Sequence, residues 1–318
     1  MPDTAVSGVL VLDREQTRAA LPPDALATAV RTALVAISRG DASAPPRIAA
    51  RSARGLLGAM PGYVPELGLA AKLVSVFSAA AAGEHGAHRG IVAYFDEETG
   101  RPLAVMDAET VTAVRTAATA TVAMRALARP DAARIAVIGT GTQARAQVAL
   151  VARMESADLV VGARDEAGAH RIVTGLGKGS ATGIEAAVRG ADVVFCCTSS
   201  REPVVSRSWL ADGAHLSSVG GSDGPELDDA TLRAASLFVE WPGAVSEPPP
   251  AGAWELQGTS PADAHLVGAV LDGRLPGRRS AGELTVFKST GHAALDVAAA
   301  SVAYRVACER GLGLRVDL

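Results

Sequence analysis

The amino-acid sequence predicts an α/β protein with a doubly wound parallel sheet. From residue 134 onward, short apolar strands alternate with helical segments, which is typical of parallel strands joined by right-handed crossovers. The predicted strands are Arg134–Ile138, Asp158–Gly162, Asp192–Cys197, Ala214–Val219 and Leu237–Val239. The chain has 318 residues, more than the ~250–300 at which a single core usually stops growing. We therefore expect a second domain, and the residues before the alternation are available to form it.

The N-terminal part of the chain carries both helix and strand signals. A helix is predicted from Pro23 to Ile37, and strand-like apolar runs cover Gly55–Phe77 and Ile91–Met106. The segment "DEETGRP" at 96–102 predicts a hairpin turn, because Asp and Gly supply the backbone conformations that tight turns need. These signals are typical of an α+β domain.

Further signals mark the segments that flank the alternation. Asp107 is a candidate N-cap for a helix over Ala108–Ala128, which ends before Pro130. The segment "GAVSEPPPAGAW" is predicted to be a loop, since three consecutive prolines exclude a helix. The last helix, Ala293–Arg310, begins after Gly291, and we expect it to return to the first domain.

The composition favours a small-molecule function in the cytoplasm. A net charge of −4, with 48% apolar and 20% charged residues, gives no general attraction to nucleic acid or to an anionic membrane. The N-terminus lacks the pattern of a secretory signal, and no run reaches the ~18 apolar residues of a membrane span. Cys196, Cys197 and Cys308 have no metal-ligand spacing, so we expect buried thiols, with the adjacent pair on opposite faces of a strand and no metal site.

A glycine-rich turn follows the first strand of the alternation. Gly139, Gly141 and Ala144 fit the form GxGxxA at a strand-to-helix junction, the context of dinucleotide binding. Gly139 permits the tight turn, Gly141 lets the backbone approach a pyrophosphate, and Ala144 lets the helix pack closely. The predicted contacts are therefore Gly139, Thr140, Gly141, Thr142, Gln143 and Ala144, in a Rossmann-type domain. The alternative is that the glycines only form a turn.

The residues after the second strand bear on the choice between the two nicotinamide cofactors. Arg164 stands first beyond Asp158–Gly162 and suits the 2′-phosphate of NADP, whereas Asp165 suits the free 2′-hydroxyl of NAD. The order favours NADP over NAD. The alternative for Arg164 is a solvated surface side chain.

Several basic residues lie in apolar surroundings. The chain has 30 basic residues, of which only Lys72, Lys178 and Lys288 are lysines. Lys72, inside an apolar strand, must reach water, meet a carboxylate or bind an anionic ligand, unless it protects an edge strand. Arg115 lies among small helical residues and can bind a carboxylate, and Arg47 follows two prolines that extend the backbone.

Eight ordered motifs connect these features to a known family: "PPR" (45–47), "AMPGY" (59–63), "KLVSVF" (72–77), "RTAA" (115–118), "GTGTQARAQ" (139–147), "TSSREPVV" (198–205), "SVGG" (218–221) and "FKSTGHAALDVAAA" (287–300). With them the chain resembles the ornithine cyclodeaminase and mu-crystallin family over nearly its whole length. The resemblance implies a substrate-binding and dimerisation domain at 1–128, completed by about 290–318. It implies an NAD(P)-binding domain at 129–289, and a homodimer.

The resemblance also assigns roles to residues. The carboxylate clamp of the family maps onto Arg47, Lys72 and Arg115. The positions that it places near the cofactor are Thr116, Thr198, Ser199, Val219, Gly220 and Lys288. Members of the family share hydride transfer between the nicotinamide and the α-carbon of an amino or imino acid.

Departures from the family pattern favour one branch of it. Cyclodeaminases carry a glutamate where this chain has Gly58 and an aspartate where it has Ser222, although Asp223 can substitute for the latter. These departures favour the ketimine reductases. Ala87 stands where the family has a threonine, and the neighbouring His88 is either a proton relay or a structural histidine.

The sequence therefore predicts an NAD(P)H-dependent reductase of a small α-imino acid or cyclic ketimine, or the reverse amino acid dehydrogenase. Arg47 and Arg115 would hold the substrate carboxylate, and Lys72 would assist and supply a proton. Asp296 would orient these cations, unless it only serves the helix dipole. The alternatives are an ornithine or lysine cyclodeaminase with catalytic NAD, and a dinucleotide-binding protein without turnover.

Overall fold

The computed structural model of the protein describes residues 8–77, 88–154, 157–221 and 223–317, without the side chain of His88. The chain forms two compact units. Unit one comprises Met1–Arg115 and His292–Leu318, and unit two is the continuous segment Thr116–Gly291. Within the described residues, no helix is long and apolar enough to cross a membrane.

The elements are numbered here in chain order. Up to the long third helix they are β1 (Val9–Leu12), α1 (Arg14–Ala19), α2 (Pro23–Arg39), β2 (Ile48–Arg51), β3 (Gly55–Val64), β4 (Gly68–Phe77), β5 (His88–Phe95), β6 (Pro102–Asp107) and α3 (Ala108–Leu127). Then follow β7 (Arg134–Ile138), α4 (Thr142–Val151), β8 (Asp158–Gly162), α5 (Glu166–Leu176), β9 (Ser180–Thr182), α6 (Ile184–Val188), β10 (Val193–Cys196) and β11 (His215–Ser218). The last are α7 (Asp229–Ala234), β12 (Ser236–Val239), α8 (Gly243–Ser246), β13 (Ala264–Leu266), α9 (Val267–Leu271), β14 (Thr285–Lys288), α10 (Ala293–Arg310) and β15 (Leu314–Val316).

Unit one is a mixed sheet with helices packed on one face. Its strand order is β15-β1-β6-β5-β4-β3-β2, in which only β1 and β6 pair in parallel. The alanine-rich helix α10 packs on β3, β4 and β5. Small residues allow this close approach, since a Cβ at Gly62 would lie 3.1 Å from the Cβ of Ala293. The expected return of the last helix to the first domain is therefore observed.

The hairpin and helix-cap predictions in unit one are confirmed. The turn at 96–101 closes with Asp96 Oδ1 accepting from the Thr99 N–H at 2.8 Å, and β5 and β6 pair antiparallel. Asp107 Oδ1 accepts from the Thr110 N–H at 2.8 Å, which caps the first turn of α3. The apolar run Gly55–Phe77 divides into β3 and β4 at a turn in which Glu66 has a positive φ of 69°.

Unit two is an eight-stranded parallel sheet of order β13-β12-β14-β11-β10-β7-β8-β9. All its pairings are parallel, and apolar clusters cover both of its faces. The predicted doubly wound α/β fold is confirmed. The strand order reverses between β7 and β10, and in such sheets ligands bind outside the carboxyl ends of the strands at that reversal.

The structure corrects two predictions about local features. Within the predicted loop "GAVSEPPPAGAW", residues Gly243–Ser246 form the short helix α8, because the prolines begin only after it ends. Cys196 and Cys197 are buried, and they contribute to the clusters on opposite faces of the sheet as predicted. Cys308 is exposed, so its predicted burial is wrong; it lies in the last turn of α10, whose final three residues are all exposed.

Candidate functional site

Unit one contains a buried cluster of charged side chains. Lys72 Nζ lies 2.9 Å from Asp296 Oδ2, and Arg115 Nε lies 3.0 Å from Asp296 Oδ1. Lys72 comes from β4, Arg115 from α3 and Asp296 from the first turn of α10. The three side chains are only 6%, 4% and 1% exposed. The carboxylate of Asp296 therefore binds both cations, and its role is not limited to the helix dipole.

The position of Lys72 decides between the alternatives that the sequence left open. Strand β4 lies between β3 and β5, so Lys72 does not protect a sheet edge. Burial lowers the pKa of Lys72 below its usual value, and the positive charges of Arg115 and Arg47 lower it further, while Asp296 opposes the shift. Deprotonation removes both the cost of burying the charge and the repulsion from the two arginines. This ammonium is therefore a better proton donor than an exposed one.

Two further side chains act on this cluster. Arg47 is half-buried just before β2, and its charge lowers the pKa of both Lys72 and His292. His292 is the N-cap of α10, where its Nδ1 accepts from the Ala294 N–H at 3.3 Å. Burial is the main cause that lowers the pKa of His292 to about 4. The sequence reasoning missed His292, although a polar residue just before an apolar helix and four residues before Asp296 was an available signal.

The glycine turn in unit two leaves open space for a ligand. Gly139 has φ 120°, and a Cβ there would lie 2.6 Å from the Cys197 carbonyl oxygen, so only glycine fits. A Cβ at Gly141 would meet nothing within 4 Å. Gly141 is also the N-cap of α4, and no side chain caps this helix. Its first N–H groups are therefore oriented to receive an anion.

The other predicted residues of the turn differ in exposure. Thr140 and Gln143 are half-buried and Thr142 is exposed, whereas Ala144, on the inner face of the helix, is fully buried in an apolar cluster. Arg145, which was not predicted, donates from Nε to the Thr140 carbonyl oxygen at 3.1 Å. This contact fixes the turn and adds a positive charge beside it.

The segment after β8 is exposed and charged. Arg164 and Asp165 are both exposed, and Asp165 Oδ2 lies 3.4 Å from Arg171 Nη2. A Cβ at Gly168 would lie 3.0 Å from Asp165 Oδ2 and 3.3 Å from Thr140 Cγ2. The segment therefore lies beside the glycine turn. In doubly wound sheets the residues at this position contact the 2′-hydroxyl or 2′-phosphate of the adenosine ribose of a dinucleotide.

The loops after β10 and β11 are joined through one buried carboxylate. Glu226 Oε1 accepts from the N–H and the hydroxyl of Thr198, both at 2.7 Å. Glu226 Oε2 accepts from the Ser218 hydroxyl at 2.7 Å and from the Gly220 N–H at 2.9 Å. Glu226 is fully buried. It was not predicted, because nothing in the local sequence distinguishes it from a surface glutamate.

The third lysine is also bound by protein groups. Lys288 Nζ lies 2.9 Å from Glu255 Oε1 and donates to the Ser218 hydroxyl at 2.8 Å and to the Gly220 carbonyl oxygen at 3.0 Å. Its side chain and that of Glu255 are each 1% exposed. Lys288 was predicted to contact the cofactor, and these contacts place its ammonium beneath the loop that carries Gly220.

The remaining candidates differ in exposure. Thr116 is buried in α3, Val219 is half-buried, and Ser199 and Asp223 are exposed. Ser222 and Ala87 lie outside the described residues, as does the side chain of His88. The structure thus brings together Lys72, Arg115 and Asp296 in unit one, and the loops of Thr198 and Gly220 in unit two.

The residues of unit two fit a nicotinamide dinucleotide. The open position at Gly141, the uncapped start of α4 and the reversal of strand order between β7 and β10 are the features that bind a pyrophosphate in doubly wound sheets. The fold and the turn define the class of protein, a two-unit protein with a dinucleotide-binding sheet.

The chain belongs to the ornithine cyclodeaminase/mu-crystallin family, whose model matches residues 9–311. It is 31% identical to the alanine dehydrogenase of Archaeoglobus fulgidus, over 96% of this chain and 98% of that one. It is 33% identical to the mouse ketimine reductase mu-crystallin, over 79% of this chain and 80% of that one. The family predicted from the sequence is confirmed.

Solved structures of other proteins resemble this chain over nearly its whole length. The Δ1-pyrroline-2-carboxylate reductase of Thermococcus litoralis in complex with NADH and L-proline matches with a TM-score of 0.86 and 28% identity, over 97% of this chain and all of that one. An archaeal alanine dehydrogenase dimer with bound NAD matches with a TM-score of 0.85 and 30% identity, over 97% of this chain and 98% of that one.

Proposed function

We propose that the protein is an NAD(P)H-dependent reductase of a small α-imino acid or cyclic ketimine, which also catalyses the reverse oxidation of the amino acid. The observation that carries this proposal is the buried cluster of Lys72 and Arg115 around Asp296 in unit one. The sequence prediction of an oxidoreductase acting on a carbon–nitrogen bond agrees with the activities named for the relatives above. The nicotinamide, when bound by unit two, supplies or accepts the hydride at the substrate α-carbon.

The cluster suits a substrate that carries one carboxylate. Within the described part of unit one, its cations are Lys72, Arg115 and the nearby Arg47, and their mutual repulsion contributes to the lowered pKa of Lys72. A second carboxylate, from the substrate, would reduce this repulsion. Guanidinium groups bind carboxylates with defined geometry, and the Asp296 contacts restrict Lys72 and Arg115 to fixed positions. The substrate is thereby oriented before reaction, which contributes much of the rate of such steps.

Lys72 is the proposed proton donor. Reduction of a C=N bond needs a proton on nitrogen as well as a hydride on carbon. Burial and the neighbouring cations lower the pKa of Lys72, so its ammonium releases a proton more readily than a surface lysine does. In the reverse reaction the neutral amine would take the proton back.

The finer assignments rest on individual residues. Arg164 is exposed beside the glycine turn, which favours NADP over NAD. For assembly we propose a homodimer formed through the sheet of unit one. Ile48, Leu57 and Ile91 on β2, β3 and β5 are 68%, 52% and 43% exposed, an apolar surface of the kind that a second copy covers. Light scattering of the native protein and of Leu57→Asp tests this, since a monomeric native protein would contradict it.

The activity is tested by following the oxidation of NADPH and NADH at their absorbance maximum. The substrates are Δ1-piperideine-2-carboxylate, Δ1-pyrroline-2-carboxylate and pyruvate with amines. We expect at least one cyclic or simple imine to be reduced, and Lys72→Met to lower kcat. The matched control is Lys178→Met, because Lys178 lies in unit two, where it donates to the carbonyl oxygens of Ala152 and Met154.

Two outcomes would contradict the proposal. Conversion of ornithine to proline and ammonia, with no imine consuming either cofactor, would identify a cyclodeaminase. A protein that binds NADPH or NADH but turns over no imine and no amino acid would be a binding protein without catalysis.

A further inference from the structure

The peptide groups of Gly220 are fixed from two sides by buried charged residues. Glu226 accepts the Gly220 N–H at 2.9 Å, and Lys288 donates to the Gly220 carbonyl oxygen at 3.0 Å. The Ser218 hydroxyl lies between them, since it donates to Glu226 and accepts from Lys288. Both charged side chains are almost fully buried. This loop therefore has little freedom to change its backbone conformation.

The same carboxylate fixes the neighbouring loop. Glu226 Oε1 accepts both donors of Thr198, so a single side chain connects the loops that follow β10 and β11. A Cβ on Gly220 would collide with the Thr198 carbonyl oxygen. The two loops thus lie directly against each other, and Gly220 contributes no side chain to the surface there.

The fold relates these loops to one half of the cofactor. A doubly wound sheet consists of two mononucleotide-binding halves that meet where the strand order reverses. The glycine turn after β7 belongs to the first half and binds the pyrophosphate of the adenosine side. The loops after β10 and β11 belong to the second half, which binds the nicotinamide mononucleotide.

We propose that Glu226 is a positioning residue for the nicotinamide half of the dinucleotide, acting through the backbone of Thr198 and Gly220. Lys288 and Glu255 complete this buried support and hold Gly220 from the opposite side. Glu226 itself does not touch the reacting atoms. The inference rests on the proposed function, because it requires a dinucleotide in unit two.

The test compares whole dinucleotides with their adenosine half. In Glu226→Gln an amide nitrogen replaces one carboxylate oxygen, so two of the four donors lose their acceptor. We expect the Kd of NADH and NADPH, measured by calorimetry, to rise at least tenfold, equivalent to about 1.4 kcal/mol. The Kd of ADP-ribose and its 2′-phosphate should change less than twofold, because the glycine turn is unaffected. Ser218→Ala removes one of the four hydrogen bonds to Glu226 and should raise the Kd of NADH and NADPH by a smaller factor. This variant keeps the test decisive if Glu226→Gln folds poorly.

Glu283→Gln is the matched control. Glu283 precedes β14 and accepts from the Ser236 hydroxyl at 2.5 Å and from the Ser280 N–H at 3.4 Å, so it braces loops at the amino ends of the strands. A purely structural role for Glu226 predicts that both variants lose thermal stability and that neither changes the ratio of the two Kd values. An unchanged ratio in Glu226→Gln and Ser218→Ala would overturn the inference while the proposed function stands. Failure of the native protein to bind any of these ligands would overturn both.

Discussion

Replacing Asp296 by asparagine should destabilise the protein far more than breaking a comparable surface ion pair. The substitution keeps the size of the side chain and removes its charge. Lys72 and Arg115 would then lie at 6% and 4% exposure without the carboxylate that they share. Removing one partner of a buried ion pair costs about 3–5 kcal/mol, because the remaining charge is buried without compensation.

The structure provides a control with the same nitrogen–oxygen distance in an exposed environment. Arg134 Nη1 lies 2.9 Å from Asp158 Oδ2, the distance between Lys72 and Asp296, but the two side chains are 40% and 57% exposed. Solvent screens this pair, so Asp158→Asn should cost less than about 1 kcal/mol. The comparison sets a buried carboxylate shared by two cations against an exposed carboxylate with one, so the difference reports burial together with the second contact.

Thermal unfolding at neutral pH measures both variants. At ~2–4 °C per kcal/mol for a protein of this size class, Asp296→Asn should lower the Tm by roughly 6–20 °C. The double variant Lys72→Met/Asp296→Asn removes the uncompensated ammonium and should recover about 1–3 kcal/mol of that loss. Equal effects of Asp296→Asn and Asp158→Asn, or no recovery in the double variant, would refute the reasoning.

The remaining predictions concern the cofactor and the pH. Arg164→Ser should raise the Kd of NADPH about tenfold and leave that of NADH within twofold; a parallel change in both would exclude a contact with the 2′-phosphate. Gly141→Ala should fold normally, because its Cβ meets nothing within 4 Å, yet bind dinucleotides at least tenfold more weakly. In the control Gly175→Ala the new Cβ also meets nothing within 4 Å, and the Kd should not change. Equal Kd values in the two variants would contradict the placement of the pyrophosphate at Gly141. The pKa of His292 is lowered from 6.5 to about 4 in the folded state. Between pH 4 and 6.5 the unfolded chain therefore binds more protons than the folded chain, and the free energy of unfolding rises with pH. The shift corresponds to about 3 kcal/mol. Urea unfolding from pH 4 to 6.5 should show that the free energy of unfolding rises less steeply with pH in His292→Gln than in the native protein. Equal pH dependence in the two proteins would contradict this assignment.

Elements with a strong local pattern could be predicted from the sequence. The strand over Asp158–Gly162 and the helix over Ala293–Arg310 have the predicted bounds, since apolar periodicity and flanking glycines specify them locally. The short strands Ser180–Thr182 and Thr285–Lys288 were missed, although others of four residues, such as Val193–Cys196, were predicted. Ser180–Thr182 contains only small polar and alanine residues, which give no strand pattern, and Thr285–Lys288 pairs with strands far earlier in the chain.

The candidate site also contains residues that could be selected from the sequence and residues that could not. Lys72 and Arg115 could be selected because a charge in an apolar segment needs a partner. Asp296 was also predicted to orient these cations, and the packing of α10 on the sheet brings its carboxylate to 2.9 Å from Lys72 Nζ and 3.0 Å from Arg115 Nε. Glu226 and Glu255 could not be selected, since their burial arises from the arrangement of loops. His292 could have been, because it occupies the N-cap position before an apolar helix.

The chain order of unit one has a consequence for biosynthesis. Asp296 lies 181 residues after Arg115, and the helix that carries it is made only after the whole of the parallel sheet. Domains tend to fold as units while the chain emerges from the ribosome, so the continuous middle segment can reach its native state first. The sheet of unit one, although most of it is translated before that segment, must wait until residue 296 has been made before its buried lysine meets a counter-charge. A nascent chain stalled before residue 293 would therefore expose the apolar side of that sheet to chaperones.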